Sequence, residues 1–189
     1  MIETLLIIED EKLLGSELSR HYRQSGWDVV LATNLSEARE LLLNKKVDPL
    51  LILSDMNLPD GNALDFMEKI KQEIASADGS KAQGALPGTF SEWLFLTGYG
   101  NVPDSVRALR LGAYDFLEKP CDLDRLDLIV ASAARSASIQ RRVADQTKHR
   151  HRRYSPDAYI GHSQQAQGVR QLLTRLTQVP FSALIIGGE

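Results

Sequence analysis

Short runs that are apolar at nearly every position alternate, through the first two-thirds of the chain, with longer stretches that are apolar only every third or fourth residue. Thr4–Ile8 (TLLII) has the pattern of a strand buried on both faces rather than one with a wet face. Glu11–Ser25 then carries Leu13, Leu14, Leu18 and Tyr22 at helical spacing, and Gly26 stops it. Asp28–Ala32 (DVVLA) predicts a second strand. Asn34, with Glu37 three residues on, reads as the N-cap of a helix carrying Leu35, Ala38 and Leu42. Asp48 and Pro49 open a third strand, Leu50–Ser54 (LLILS), and Leu58-Pro-Asp-Gly61 has turn chemistry.

Ala63–Ile74 predicts the next helix. Residues 75–91, rich in Ala, Ser, Gly and Pro, predict a loop longer than compact domains usually carry. Because it joins a helix to the start of a strand, its expected place is the sheet edge away from the strands' C-terminal ends. Glu92–Leu96 is the fourth predicted strand, Pro103–Leu111 a short helix and Ala113–Leu117 the fifth strand. A helix follows from Asp122 with Leu126, Val130 and Ala133 on one face, and Ile139 and Val143 continue its apolar stripe to about Gln146. Strict strand–helix alternation with all-apolar strands predicts the α/β class, a flavodoxin-like, doubly wound five-stranded parallel sheet covered on both sides. In open sheets of that kind ligands bind beyond the C-terminal ends of the strands.

Composition narrows the picture without redirecting it. A chain of 189 residues with 43% hydrophobic content can bury one good core and a small second unit. A net charge of −3 supplies no field toward nucleic acid or an anionic membrane. Lone Cys121 cannot close an internal disulfide, which suits a reducing cytoplasm, and it reads as a small apolar residue rather than a nucleophile. No apolar run approaches the roughly 20 residues that span a bilayer, and the start of the chain lacks a signal-peptide pattern. A cytoplasmic protein without membrane contact is the expectation.

The residues at the predicted strand ends carry the chemistry. The first strand leads into Glu9 and Asp10, the third into Ser54 and Asp55, the fourth into Thr97 and Gly98, and the fifth into Glu118, Lys119 and Pro120. Three carboxylates packed together repel, and one of them protonates unless a cation intervenes. A divalent hard cation such as Mg²⁺, which takes one or two carboxylates and keeps several waters, removes that conflict. It also neutralises an incoming phosphoryl group and leaves a carboxylate free to attack phosphorus in line. Lys119 can pair with one phosphoryl oxygen and Thr97 can donate a hydrogen bond to another. Taken singly, each residue has a plainer reading: Asp55 as a turn residue, Lys119 as a solvated lysine, Thr97 as a β-branched strand residue, Phe116 as core. Convergence on one sheet edge favours the chemical one.

Four segments, Glu9-Asp10-Glu11, Asp55-Met-Asn-Leu-Pro-Asp-Gly61, Thr97-Gly-Tyr-Gly100 and Gly112-Ala-Tyr-Asp-Phe-Leu-Glu-Lys-Pro120, closely resemble the response-regulator receiver (CheY-like) family, in order and each at a predicted strand end. The resemblance, covering residues 1–122, implies that Asp55 accepts a phosphoryl group from a sensor histidine kinase. It implies that Glu9 and Asp10 form an acidic pocket in which Asp10, Asp55 and the main-chain carbonyl of Asn57 hold Mg²⁺. It further implies that Thr97 and Lys119 read out the phosphoryl group, that Phe116 is the aromatic that turns inward in response, and that the Lys119–Pro120 bond is cis. Tyr99 stands where the family varies a side chain guarding the attacking water, so its ring is expected to slow loss of the phosphoryl group.

Residues 123–147 then form the last receiver helix and its extension, which either pairs with a second copy or packs on its own chain. Residues 148–158, with the basic run Lys148-His-Arg-His-Arg-Arg153, read as a solvated linker. Residues 159–189 bring Ile160-Gly-His-Ser163, a helical stripe of Val169, Leu172, Leu173 and Leu176, and a strand Ala183–Ile186 entering Gly187-Gly-Glu189. This stretch resembles the opening of the AAA+ domain of sigma-54-dependent activators. Only the first glycine of a Walker A loop, Gly188, is present, so no ATPase activity is expected of these residues, and some 30 residues are too few for a core of their own. The regulatory half of a nitrogen-regulator-class activator is thus the leading expectation, with DNA and sigma-54 polymerase contacted only through parts absent from this sequence. The rivals are a relay receiver without attached output and a haloacid-dehalogenase-type phosphatase. The latter wants a second Asp two residues after the nucleophile, where this chain has Asn57.

Overall fold

The computed structural model describes residues 2–78, 91–98 and 102–154. Five strands form one parallel sheet in the order β2-β1-β3-β6-β7: β1 (Thr4–Ile8), β2 (Asp28–Ala32), β3 (Leu51–Asp55), β6 (Glu92–Thr97) and β7 (Asp115–Glu118). Two further short strands, β4 (Asn57–Leu58) and β5 (Gly61–Asn62), make a small antiparallel hairpin at the predicted turn. The helices are α1 (Lys12–Gln24), α2 (Leu35–Arg39), α3 (Ala63–Asp78), α4 (Val102–Arg110) and α5 (Leu123–Tyr154). A π-helical turn, Glu40–Asn44, continues α2. This is the doubly wound, flavodoxin-like architecture that the alternating pattern predicts.

The strands explain both halves of the core. Residues point alternately to opposite faces of a strand, so Leu6, Ile8, Ile52, Trp93 and Phe95 pack with Ala38 of α2, Leu42 of the π-helical turn, Met67 of α3 and Ala108 of α4. Leu5, Ile7, Leu51, Leu53, Leu94 and Leu96 pack on the other face with Leu18 and Tyr22 of α1 and Leu126, Val130 and Ala133 of α5. Both faces being apolar is why the strands read as continuous runs. Register follows: Ile8 lies beside Ser54, Asp55 beside Leu96, and Thr97 beside Glu118. The polar residues that end the runs are thereby gathered at one edge.

Several boundaries move. Strand β3 begins one residue later than predicted and takes in Asp55, strand β7 shifts to Asp115–Glu118, and α3 continues to Asp78 into the expected loop. Leu13 is 68% exposed, one position ahead of the buried stripe of α1. Helix α5 runs to Tyr154, past the expected end near Gln146 and through the basic run read as linker. Its Ile139 and Val143 do not continue the buried stripe and lie exposed. The helix persists because Ala, Arg, Gln and Lys favour helix even where, as at Ile139 and Val143, the apolar stripe is exposed. The chain divides into two compact units, Met1–Arg141 and Arg142–Glu189. Within the described residues no helix is long and apolar enough to cross a membrane. The predicted loop beyond Asp78, and the tail with Ile160, the Val169–Leu176 stripe and Gly188, lie outside the described residues.

The centre of the sheet should tolerate truncation poorly. Ile52 is 1% exposed in the middle strand, so Ile52→Ala should cost ~2–5 kcal/mol, read as a fall in the urea unfolding midpoint with unchanged slope.

Candidate phosphoryl-accepting site

Every strand that feeds the site ends at the same edge. Backbone bonds fix the alignment beyond the strands themselves: Glu9 N–H donates to Ala32 O at 3.0 Å, Met56 N–H to Leu96 O at 2.8 Å, and Lys119 N–H to Thr97 O at 2.7 Å. The Lys119–Pro120 peptide is cis, as the resemblance implies.

At this edge Lys119 Nζ donates to Asp55 Oδ2 at 2.6 Å and to Glu9 Oε2 at 2.7 Å. The Glu9 side chain is 1% exposed, against 14% for Asp55 and 19% for Lys119. That asymmetry decides the electrostatics. Burial pushes the Glu9 carboxyl above its ordinary value, and the hydrogen bond and charge of Lys119 offset only part of the rise. Burial alone would pull the Lys119 ammonium down, but its bonds to Asp55 and Glu9 outweigh this and raise it. Asp10 is exposed, yet it can bring a carboxylate oxygen within 4.8 Å of those of Glu9 and Asp55.

These three carboxylates are the one such cluster among the described residues with spacing suited to a metal ion. Their oxygens are hard donors of the kind Mg²⁺ takes, and one of them stays open to water. The donor set therefore fits the cation that the resemblance implies. The Asp55 carboxylate is oriented from both sides, because its Oδ1 accepts the Asn57 N–H at 3.1 Å while its Oδ2 holds Lys119. Thr97 is buried at the end of β6, on the strand next to Asp55. Phe116 is half-buried beside Phe95 and packs against the core on the α2–α3–α4 side. Tyr99 and Gly100 lie outside the described residues. Cys121 is half-buried, and burial pushes its thiol up, as for a packed residue rather than a nucleophile.

A family model, the response regulator receiver domain, matches residues 5–131. The chain belongs to the response regulator receiver family. It is 36% identical over 130 residues to the response regulator protein PilR of Pseudomonas aeruginosa, covering 69% of this chain and 26% of that protein. To the luminescence regulatory protein LuxO of Vibrio campbellii it is 28% identical over 181 residues, 96% of this chain and 36% of the relative. This receiver chain thus spans about a quarter to a third of the curated relatives it matches. Among solved structures, the non-phosphorylated HemR receiver domain from Leptospira biflexa superposes with a TM-score of 0.56 at 27% identity, covering 70% of this chain and 94% of that one. The beryllofluoride-activated NtrC4 receiver domain dimer gives 0.59 at 28%, covering 71% and 98%. A CheY-like receiver domain from Methanospirillum hungatei gives 0.62 at 19%, covering 74% and 99%, a likeness of fold.

Sequence reasoning did not reach the polar ties around the receiver's site. Asp60, in the hairpin turn, accepts from Leu35 N–H and Ser36 N–H at 2.9 Å each and from Ser36 Oγ at 2.8 Å. Its slight burial would raise the carboxyl, and those three donors more than offset this, holding it below its ordinary value. The Leu58-Pro-Asp-Gly61 motif signals the turn but not the helix it meets. Lys71 of α3 donates to the Leu111 and Gly112 carbonyls at 3.0 Å each, just past α4. Arg107 of α4 pairs with Asp65 at 2.5 Å and Glu68 at 3.5 Å.

Removing the central cation tests the electrostatics. In Lys119→Met the Glu9 carboxyl should rise further above its unfolded value near 4.5. A raised folded value means the stabilising proton is held fully below the unfolded value and lost as pH rises through the folded one. Urea unfolding between about pH 5 and 8, with chelator present, should show the variant losing stability with rising pH more steeply than wild type.

Proposed function

We propose that this chain is the phosphoryl-accepting regulatory part of a two-component response regulator of the sigma-54-dependent activator class, with Asp55 as the acceptor. The observation that carries the reading is the Lys119 ammonium bonded to both Asp55 and Glu9, with Asp10 beside them, at the C-terminal edge of the sheet. In transfer from a sensor histidine kinase, an Asp55 carboxylate oxygen bonds to phosphorus as the phosphorus–nitrogen bond of the phosphohistidine breaks. The imidazole leaves with the electron pair and takes a proton from solvent. Glu9, Asp10, Asp55 and the Asn57 carbonyl are the residues to hold Mg²⁺, which supplies neutralising charge for the transferred group.

Lys119 and Thr97 then hold phosphoryl oxygens, and Phe116 follows Thr97 inward, biasing a two-state equilibrium. Exposed apolar residues Val106 and Leu109 on α4 and Leu123, Leu128 and Ile139 on α5 supply a surface for a homodimer. The name of one structural relative, a receiver domain dimer, supports that reading. The match to LuxO over 181 residues extends past the receiver and supports an activator-type continuation after it. DNA and sigma-54 polymerase would be reached through further domains, the setting is the cytoplasm, and no membrane is involved.

Intact mass spectrometry after incubation with acetyl phosphate and Mg²⁺ tests the acceptor. Wild type should gain a single phosphoryl adduct that disappears in Asp55→Ala and when Mg²⁺ is chelated. An adduct that survives Asp55→Ala would remove Asp55 from the role. If Tyr99 guards the attacking water, the adduct should persist for minutes or longer; a lifetime of seconds would count against the guard.

A further inference from the structure

The hairpin that follows Asp55 is held from a place well outside the acidic site. Asn57–Leu58 pairs with Gly61–Asn62, and Pro59 and Asp60 form the turn. At its base, Ala63 N–H donates to Met56 O at 2.9 Å and Leu64 N–H to Asn62 Oδ1 at 2.9 Å. At its tip, the Asp60 carboxylate takes the two leading N–H groups of α2 and the Ser36 hydroxyl. Gly61 has φ +149°, and a Cβ there would stand 3.3 Å from Leu35 Cδ1, so the tip lies directly against α2.

Helix α2 is capped from two directions, by its own flanking residues and by Asp60. Asn34 Oδ1 accepts from Glu37 N–H at 2.8 Å, and the Glu37 carboxylate accepts from Thr33 N–H at 2.8 Å and Thr33 Oγ1 at 3.1 Å, a local cap that leaves the Leu35 and Ser36 N–H groups to Asp60. Asp60 reaches across 25 positions of sequence to add bonds on top of it. Those bonds tie the hairpin to α2 as well as capping it, and the hairpin begins with Asn57, whose N–H is the donor on Asp55 Oδ1 at 3.1 Å.

We infer that Asp60 is a positioning residue for the acceptor: by clamping the hairpin tip to α2 it holds the Asn57 N–H in place and so sets the orientation of the Asp55 carboxylate. The inference rests on the reading of Asp55 as acceptor. The chain of contacts runs from Leu35 and Ser36 through Asp60 and the two-residue ladder to Asn57 and Asp55. Asp60 touches no reacting atom. It acts by keeping a preorganised group from swinging out of line.

Two variants and two readouts test it in the whole chain, with urea unfolding run alongside to establish that each variant is folded. In Asp60→Ala, amide hydrogen exchange at Leu35, Ser36 and Asn57 should accelerate together, and the rate of adduct formation with acetyl phosphate and Mg²⁺ should fall about ten-fold. Asp60→Asn keeps one acceptor oxygen, so it should recover most of the Asn57 protection and come within about three-fold of the wild-type rate. A merely structural role would lower the urea midpoint without moving exchange at Asn57 or the rate in the folded protein. Unchanged Asn57 exchange in folded Asp60→Ala, or a wild-type rate there, overturns the clamp while leaving Asp55 as acceptor. Absence of any adduct in wild type overturns the acceptor reading itself, and the inference with it.

Discussion

Lys119 joins strand ends that charge alone would force apart. Glu9 follows β1 and Asp55 ends β3, and these neighbouring parallel strands deliver two carboxylates to one spot with Asp10 beside them. Two like charges about 4 Å apart repel by ~4 kcal/mol at an effective dielectric near 20, comparable with a large part of a small domain's net stability. The ammonium at 2.6 and 2.7 Å turns that repulsion into two charge-assisted hydrogen bonds. It is delivered by β7, beyond β6, and so the acidic edge stays assembled only while four strands keep their register. Site and sheet constrain each other.

The remaining architecture divides labour between the two ends of the sheet. At the N-terminal edge α5 is pinned by polar contacts: Arg141 donates to Pro49 O at 2.6 Å and pairs with Asp48 at 3.0 Å, and Ser136 and Gln140 donate to Glu92 at 2.9 and 2.7 Å. Along the same helix Leu126, Val130, Ala133 and Ala137 are fully buried or nearly so. These contacts lie away from the acidic edge and set where β7 and its neighbours stand. At the C-terminal edge the contacts are charged and partly wet, as exchangeable ligation requires. The phosphoryl transfer proposed for Asp55 would thus take place away from the apolar core.

Most of this plan was legible in the chain because a buried parallel sheet leaves a strong trace. Strands such as TLLII and LLILS are apolar throughout only when helices cover both faces, and the strand-end rule then locates Glu9, Asp10, Asp55, Thr97 and Lys119 without any coordinate. What escaped were features set by tertiary contact. Leu13 fits the helical stripe by spacing, but the stripe turns away one residue later. Ile139 and Val143 extend an apolar periodicity that finds nothing described to bury it. The ends of β3 and β7 shifted because polar Asp55 and Glu118 can close a strand as readily as follow it. Asp60 was readable as a turn residue, but its partners Leu35 and Ser36 lie on a helix whose proximity only the fold creates. Nor does any local pattern announce that Lys119 bonds Glu9 and Asp55 at once.

The described side chains of the helices that flank β7 in the chain are held differently, and that difference bears on how the change proposed at Asp55 would spread. Helix α5 buries four apolar residues and is tied at Arg141. Of the described side chains of α4, only Ala108 is buried, while Val106 and Leu109 are exposed. Among the described residues, α4 is tied by the half-exposed Arg107 pairing with Asp65 and Glu68, and by Lys71 on the carbonyls just past its end. Exposed ion pairs of that kind are largely screened by solvent, whereas withdrawing a single buried leucine-sized group costs ~1.5–3 kcal/mol. Burial also lowers the Lys71 ammonium, a sign that its capping bonds are offset by desolvation. On the proposed reading, a change at the site would meet less resistance at the described contacts of α4 than at the buried face of α5. Helix α4 follows β6 and precedes β7 in the chain, so it directly joins the strands that carry Thr97 and Phe116, the residues proposed to switch.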